Sequence, residues 1–233
     1  MISLIKAVLF DYGGTLDSDG LHWQERFYSL YEEEGLFVNR DDFAAAFYDS
    51  DDNLPKRFDL KGLDLESTVR LQVGCVLDYL KLDKTPHQES ITRKFSGRSD
   101  ENIKKIKPFL ERLSCKYALG IVSNFYGNLE SILKAQGILS LFGAVADSEN
   151  VGATKPDSAL FLHTTRALGV EPQNALMVGD NLRRDMAGAE SLDMPHAWID
   201  GGRPHLSPCC KNVLRVSTLL ELEEMLLSKE NAL

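Results

Sequence analysis

The sequence predicts an α/β fold, a parallel sheet with helices on both faces, interrupted once by a block made only of helices. Three observations carry this. Short apolar runs recur along the chain with helical stretches between them. The segment from about Asp19 to Lys105 holds helical patterns and no strand. Several apolar runs end on Asp, Ser or Gly-Asp.

The elements follow in order. Leu4–Phe10 is an apolar run that stops at Asp11, Tyr12 and two glycines, the pattern of a buried strand entering a tight loop. Four helical patterns come next. Leu21–Glu34 ends at Gly35, Asn39 is placed to cap Arg40–Tyr48, and Asp64–Leu80 carries apolar residues at three- and four-residue spacing. The fourth is expected to be capped by Thr85, with Pro86 at its first position, Gln88 closing a capping box and Gly97 ending it. Strands are then expected at Tyr117–Val122, Ala144–Ala146, Ala175–Val178 and His196–Ile199. Between them lie helices at Asn128–Gln136, Asp157–Leu168 and Arg184–Leu192, the first two closed by Gly137 and Gly169. Thr218–Leu227 closes the pattern with a capping box, Thr218 and Glu221. The division expected is a core of residues 1–16 and 107–233 with a helical domain of residues 17–106 inserted in it, large enough to bury its own core.

Composition narrows the function. The 233 residues include 35 acidic and 26 basic side chains, and residues 17–106 alone hold 19 acidic against 13 basic. A chain with net charge −9 lacks the broad basic footprint that nucleic acid or an anionic membrane selects, so neither partner is expected. The longest uncharged run, Tyr117–Leu129, is 13 residues with two glycines, short of the ~18 that would suggest a span. The start lacks a long apolar stretch with a cleavage site, which makes the cytoplasm the expected location. Cys75, Cys115, Cys209 and Cys210 have no zinc spacing and read as reduced core thiols. The five histidines form no ligand pair, and the stripe Trp23, Phe27, Tyr28, Tyr31 reads as helix core.

Four features gather at strand ends. Asp11 follows the first strand in DYGGTL, Ser123-Asn124 follows YALGIV, Lys155-Pro156-Asp157 precedes a helix, and GDNLRRD, residues 179–185, follows ALMV. Each alone is ordinary, a turn, a helix cap or a surface lysine. In a parallel sheet, however, all four lie at the carboxyl edge, where open α/β folds bind ligands. In this order they resemble the haloacid dehalogenase-like (HAD) superfamily of hydrolases, and the helical insertion falls where its C1-type cap lies. The resemblance covers nearly the whole chain. It implies a Rossmann-like core with a mobile cap, Mg²⁺ as cofactor and a small phosphorylated substrate. Asp11 would then be nucleophile and metal ligand, with the Gly13 carbonyl, Asp180 and Asp185 as further ligands. Ser123, Asn124 and Lys155 would hold the phosphate, Lys155 also neutralising the nucleophile. Thr15 is expected to bond within its loop.

One position departs from that pattern. The aspartate that such phosphatases place two residues after the nucleophile, to protonate the leaving oxygen, is Gly13 here. Loss of general acid–base catalysis is worth about 10²–10⁴-fold. Dehalogenases and phosphonatases also lack that residue. The former use no Mg²⁺ and differ at the fourth motif. The latter need a cap lysine, and nothing marks Lys56, Lys61 or Lys94 for that role. A substitute carboxylate, either Asp17 or Asp19 or a cap residue, is a third possibility, although Asp17 and Asp19 read more simply as a solvated turn. A weak or inactive relative that binds phosphate or a partner is the fourth. Arg26, Arg57 and Lys61 are candidates to bind an anionic substrate tail or to face water.

Overall fold

The computed structural model describes residues 4–203 and 210–227. Cys209 and one of the five histidines, His205, lie outside them. Six parallel strands form one sheet in the order β3-β2-β1-β4-β5-β6: β1 Ala7–Phe10, β2 Ala118–Ser123, β3 Ala144–Asp147, β4 Ala175–Gly179, β5 His196–Ile199 and β6 Leu214–Val216. Five of the six were anticipated to within three residues. β6 is a three-residue edge strand, too short for any periodicity to announce it.

β1 is apolar throughout because both its faces are covered. Val8 and Phe10 join one buried cluster, and Ala7 and Leu9 join the other. Helices α5 (Leu129–Ala135) and α9 (Leu219–Leu227) pack in the first cluster, α7 (Ser158–Ala167) and α8 (Ala187–Glu190) in the second. The short α6 (Ser148–Val151) follows β3 directly. α9 begins differently from the expected box. Thr218 Oγ1 accepts from Glu221 N at 3.1 Å, but the Glu221 carboxylate caps Ser217 N, and Asp19 accepts from Leu219 N at 2.6 Å.

Helices α1 (Trp23–Glu33), α2 (Arg40–Arg57), α3 (Leu65–Tyr79) and α4 (His87–Ser114) fill the block between β1 and β2. Two run longer than their patterns suggested. α2 continues past Tyr48 because Ser50 and Leu54 extend the buried stripe of Phe43, Ala46 and Phe47 through the polar run Asp49–Asn53. α4 does not stop at Gly97. Ile91, Phe95, Ile103, Ile106, Leu110 and Leu113 keep one continuous buried face. Thr85 makes no cap bond on α4, and the Gln88 amide donates to Arg70 O instead. The boundary drawn at 106/107 therefore falls inside one helix. Phe95 stacks on Phe27 of α1 at 4.2 Å, while Phe109 meets Phe10 of β1 edge-on at 6.3 Å. Among the described cysteines Cys75 and Cys210 are buried but Cys115 is exposed, so the core-thiol expectation fails there.

Candidate active site

The order 3-2-1-4-5-6 reverses direction between β1 and β4, and such a switch point opens a crevice at the carboxyl ends of the strands. Asp11 follows β1 and Asp180 follows β4, whose registered partners Phe10 and Val178 lie side by side. Ser123 ends β2, the strand on the other side of β1. Sheet topology alone thus brings three of the four motifs together.

The loop after β1 is shaped for close approach. Gly14 sits at φ +87°, and a Cβ there would lie 2.6 Å from the Asp180 carboxylate, so only glycine lets the two strand ends meet. Asp11 is buried, and three donors converge on its Oδ1: Tyr12 N at 2.8 Å, Ser123 Oγ at 2.6 Å and Lys155 Nζ at 2.8 Å. Lys155 Nζ also meets Asp185 Oδ1 at 2.7 Å. The backbone of Lys155 is held by the Asn124 amide, whose Oδ1 accepts from Lys155 N at 2.7 Å and whose Nδ2 donates to Lys155 O at 3.2 Å. The Asn124 side chain therefore holds Lys155 in place, which leaves only its backbone N–H for a phosphate oxygen. Thr15 reaches beyond its own loop, donating to Asp180 Oδ1 at 3.4 Å.

The fourth motif leads into the helix expected over Arg184–Leu192, but the helical stretch starts two residues earlier and ends at Glu190. Asn181 caps Arg183 N and Arg184 N, and a single wide turn over Leu182–Met186, with Met186 N donating to Asn181 O at 3.3 Å, precedes α8. That turn points Asp185 inward, where its Oδ2 accepts from Asn181 N at 3.0 Å.

Asp11, Asp180 and Asp185 each offer an oxygen within 4.8 Å of the others. Burial first, then the Asp185 and Asp11 charges, hold the Asp180 carboxyl well above the usual carboxylate range. Burial, opposed by Lys155, pushes Asp185 up to about 6. Burial favours a neutral Lys155, yet the two carboxylates keep it charged and raise it. Three acids against one ammonium leave an excess of negative charge, and Asp180 Oδ2 is buried with no hydrogen-bond partner among the described residues. Unpaired buried carboxylate oxygen is costly, and an all-oxygen donor set suits a hard divalent cation. The residues present fit a metal ion.

Over the carboxylates lies a small cleft of about 50 Å³, reached by Asp11, Gly13, Ser123, Lys155 and Asp180 from the sheet side. Trp23 and Phe47 from the helical segment, with Phe125 and Tyr126 after β2, supply its aromatic walls. His22, Asp51 and Arg184 supply its further polar groups. Trp23 is thus both core and wall. Arg184 stood in the motif itself, whereas Asp51 sits in the acidic run Asp49–Asp52, and no pattern in the sequence marks it.

Arg57 and Lys61 are exposed and do not line this cleft. Arg26 is buried, with its Nη1 2.5 Å from Asp17 Oδ2 and its Nη2 bonded to Phe95 O and Ser99 Oγ. Asp17 is correspondingly no solvated turn. Fully buried, it also accepts from Gly14 N at 2.8 Å and Trp23 Nε1 at 2.7 Å, tying the loop after β1 to α1 and α4.

Comparison with known proteins bears on the family and the fold. A phosphoserine phosphatase of Thermus thermophilus is 36% identical over 106 residues, covering 45% of this chain and 43% of that protein. The matched segments span less than half the length of the first curated relatives. Among solved structures, a HAD phosphatase from Thermococcus onnurineus superposes with a TM-score of 0.57 at 28% identity, covering 95% of this chain and 98% of that one. An L-2-haloacid dehalogenase shares the fold at a TM-score of 0.61 and 22% identity, over 95% and 98% of the two chains. Residues 5–193 match the family model for haloacid dehalogenase-like hydrolases, and the chain belongs to that family.

Proposed function

We propose that the protein is a Mg²⁺-dependent phosphomonoesterase that acts on a small phosphorylated metabolite through an aspartyl-phosphate on Asp11. The observation that carries this is the division of labour on Asp11: three donors occupy Oδ1, orienting the carboxylate and leaving Oδ2 for attack. Asp11, Asp180, Asp185 and the Gly13 carbonyl would hold the metal, and when bound it supplies the positive charge that lets one anion attack another. Lys155 adds a compact charge beside the transferring group. Ser123 fixes the nucleophile, and the Ser123-Asn124 turn offers backbone N–H groups to phosphate oxygens. Arg184 at the cleft's rim adds a second cation for the phosphate or an anionic neighbour on the substrate.

The phosphonatase alternative finds no support in the helical segment. Lys94 is paired with Glu34 at 2.6 Å, Lys56 bonds Asn53, and neither they nor Lys61 line the cleft. Dehalogenation has no evident use for the unpartnered Asp180 oxygen. The reading of a phosphate-binding relative with little activity draws on Gly13, and turnover decides it. Hydrolysis of p-nitrophenyl phosphate that requires Mg²⁺ and disappears in Asp11→Asn is the result expected. Metal and phosphate binding without turnover would establish the binding protein instead, and halide release without metal would establish a dehalogenase.

A further inference from the structure

The missing acid at position 13 leaves no vacancy beside the nucleophile. A Cβ on Gly13 would lie 3.2 Å from Trp23 Nε1 and 3.4 Å from its Cε2, so the indole already stands where a side chain would leave the loop. Trp23 is held there by the bond from Nε1 to buried Asp17, and by edge-on contacts with Phe95 and Phe125 at 5.0 and 5.7 Å. A proton donor for this cleft must come from elsewhere.

Three titratable side chains of the helical segment line the same cleft, His22, Tyr48 and Asp51, and the exposed Tyr48 hydroxyl already donates to Gln24 Oε1 at 3.0 Å. His22 is poorly suited. Its Nδ1 accepts from Gln24 N at 3.3 Å, which puts the proton of the neutral ring on Nε2, and burial together with Arg184 keeps that neutral form favoured. A neutral imidazole N–H donates a hydrogen bond but does not give up its proton. Asp51, from the middle of α2, enters the cleft as a carboxyl group oriented by a bond with the Tyr126 hydroxyl at one oxygen. No hydrogen bond reaches its other oxygen among the described residues. We propose that Asp51 is the general acid and base of this site, delivered by the helical segment in place of the residue lost at position 13. This rests on the phosphomonoesterase reading above.

The surroundings suit both protonation states. Burial raises the Asp51 carboxyl above the usual range and Asp52 adds to this, while the Tyr126 hydroxyl and Arg184 keep its anion within reach. In the first step Asp11 Oδ2 bonds to phosphorus, and the bond to the leaving oxygen breaks with its electron pair on that oxygen. The Asp51 proton moves to it, giving the free alcohol, the aspartyl-phosphate and an Asp51 carboxylate. In the second step a water oxygen bonds to phosphorus as the bond from phosphorus to Asp11 breaks. Asp51 takes the water's proton, restoring both carboxyl groups and releasing inorganic phosphate.

The test compares leaving groups, because an acid matters most for a poor one. Values of kcat/KM with Mg²⁺ are measured on p-nitrophenyl phosphate and on a panel of alkyl phosphates for the native protein, Asp51→Asn and Asp51→Glu. Asp51→Asn is expected to lose about 10²–10⁴-fold on the best alkyl ester and less than about tenfold on the aryl ester, with Asp51→Glu recovering part of the alkyl activity. Equal losses on both esters, no loss on either, or a native protein that cleaves only the aryl ester would each overturn the assignment and leave the phosphomonoesterase standing. A native protein that cleaves neither ester overturns both. Circular dichroism of each variant separates a folding failure from a catalytic one, and Tyr126→Phe, which frees the Asp51 carboxyl, is expected to give the same leaving-group bias in weaker form.

Discussion

Restoring aspartate at position 13 is the obvious repair for the missing acid, and the structure sets Trp23 against it. The backbone at Gly13, φ −72° and ψ 121°, suits any L-residue, so the obstacle is space alone. The first carbon of the new side chain would already sit 3.2 Å from the indole, so Trp23 must give by a few tenths of an ångström to admit it. Overpacking of this kind costs about 1–3 kcal/mol. If the indole yields, its bond to buried Asp17 is lost as well, a further ~1–3 kcal/mol. Gly13→Asp should therefore unfold at lower urea, with a loss of about 2–6 kcal/mol, and without raising alkyl-phosphate turnover. Trp23→Ala alone should cost about 3–5 kcal/mol, because Trp23 is only 6% exposed. In the double variant the added carboxylate occupies part of the vacated space, so the pair should cost less than the two single changes together by about 1 kcal/mol or more. A Gly13→Asp protein as stable as the native one, or strict additivity in the cycle, would refute the claim that Trp23 fills this space.

Three other perturbations follow from the same geometry. Asp17→Asn leaves the Arg26 guanidinium buried without its anion and should destabilise by about 3–5 kcal/mol, read from the urea midpoint, with little salt dependence because the pair is buried. Asn124→Ala frees the Lys155 backbone and should lower kcat more than KM, whereas an unchanged kcat would separate Asn124 from the placement of Lys155. In the metal-free protein Asp185 is raised to about 6, so between about pH 4 and 6 the folded state binds more protons than the unfolded one. Stability should therefore fall as pH rises through that window, and the thermal stabilisation by Mg²⁺ should grow over the same range and disappear on adding EDTA.

The parallel sheet and the four motifs were legible because their signals are local: an apolar run, then a chemically distinct residue where the run stops. What escaped depends on contacts between distant segments. α4 runs through Gly97 because Phe95 and Ile103, on either side, both have buried partners, and a glycine signal cannot report that. Asp17 looked like a turn residue, and only the fold supplies Arg26, Trp23 and Ser99 around it. Asp51 is the extreme case. It sits among Asp49 and Asp52 in a polar run, and what distinguishes it is Tyr126, 75 residues later in the chain.

The same contacts bear on the charge of the cleft. Asp11, Asp180 and Asp185 outnumber Lys155 and Arg184, so a bound divalent ion leaves the site with one positive charge only while Asp51 stays protonated. With Asp51 ionised that charge is cancelled, and a phosphate dianion would enter a neutral site beside an additional carboxylate. At a separation of 4 Å and an effective dielectric of 20, each unit charge is worth about 4 kcal/mol to such a ligand. The proton on Asp51 therefore affects substrate binding as well as the leaving group. Its departure with the alcohol in the first step removes a positive contribution just as one product must leave. Asp51→Asn keeps the neutral charge of the acid while deleting its proton transfer, and Asp51→Glu keeps the transfer. Inorganic phosphate should thus bind Asp51→Asn at least as tightly as the native protein. A large loss of phosphate affinity in that variant would point to a binding role for the carboxyl oxygen that proton transfer does not explain.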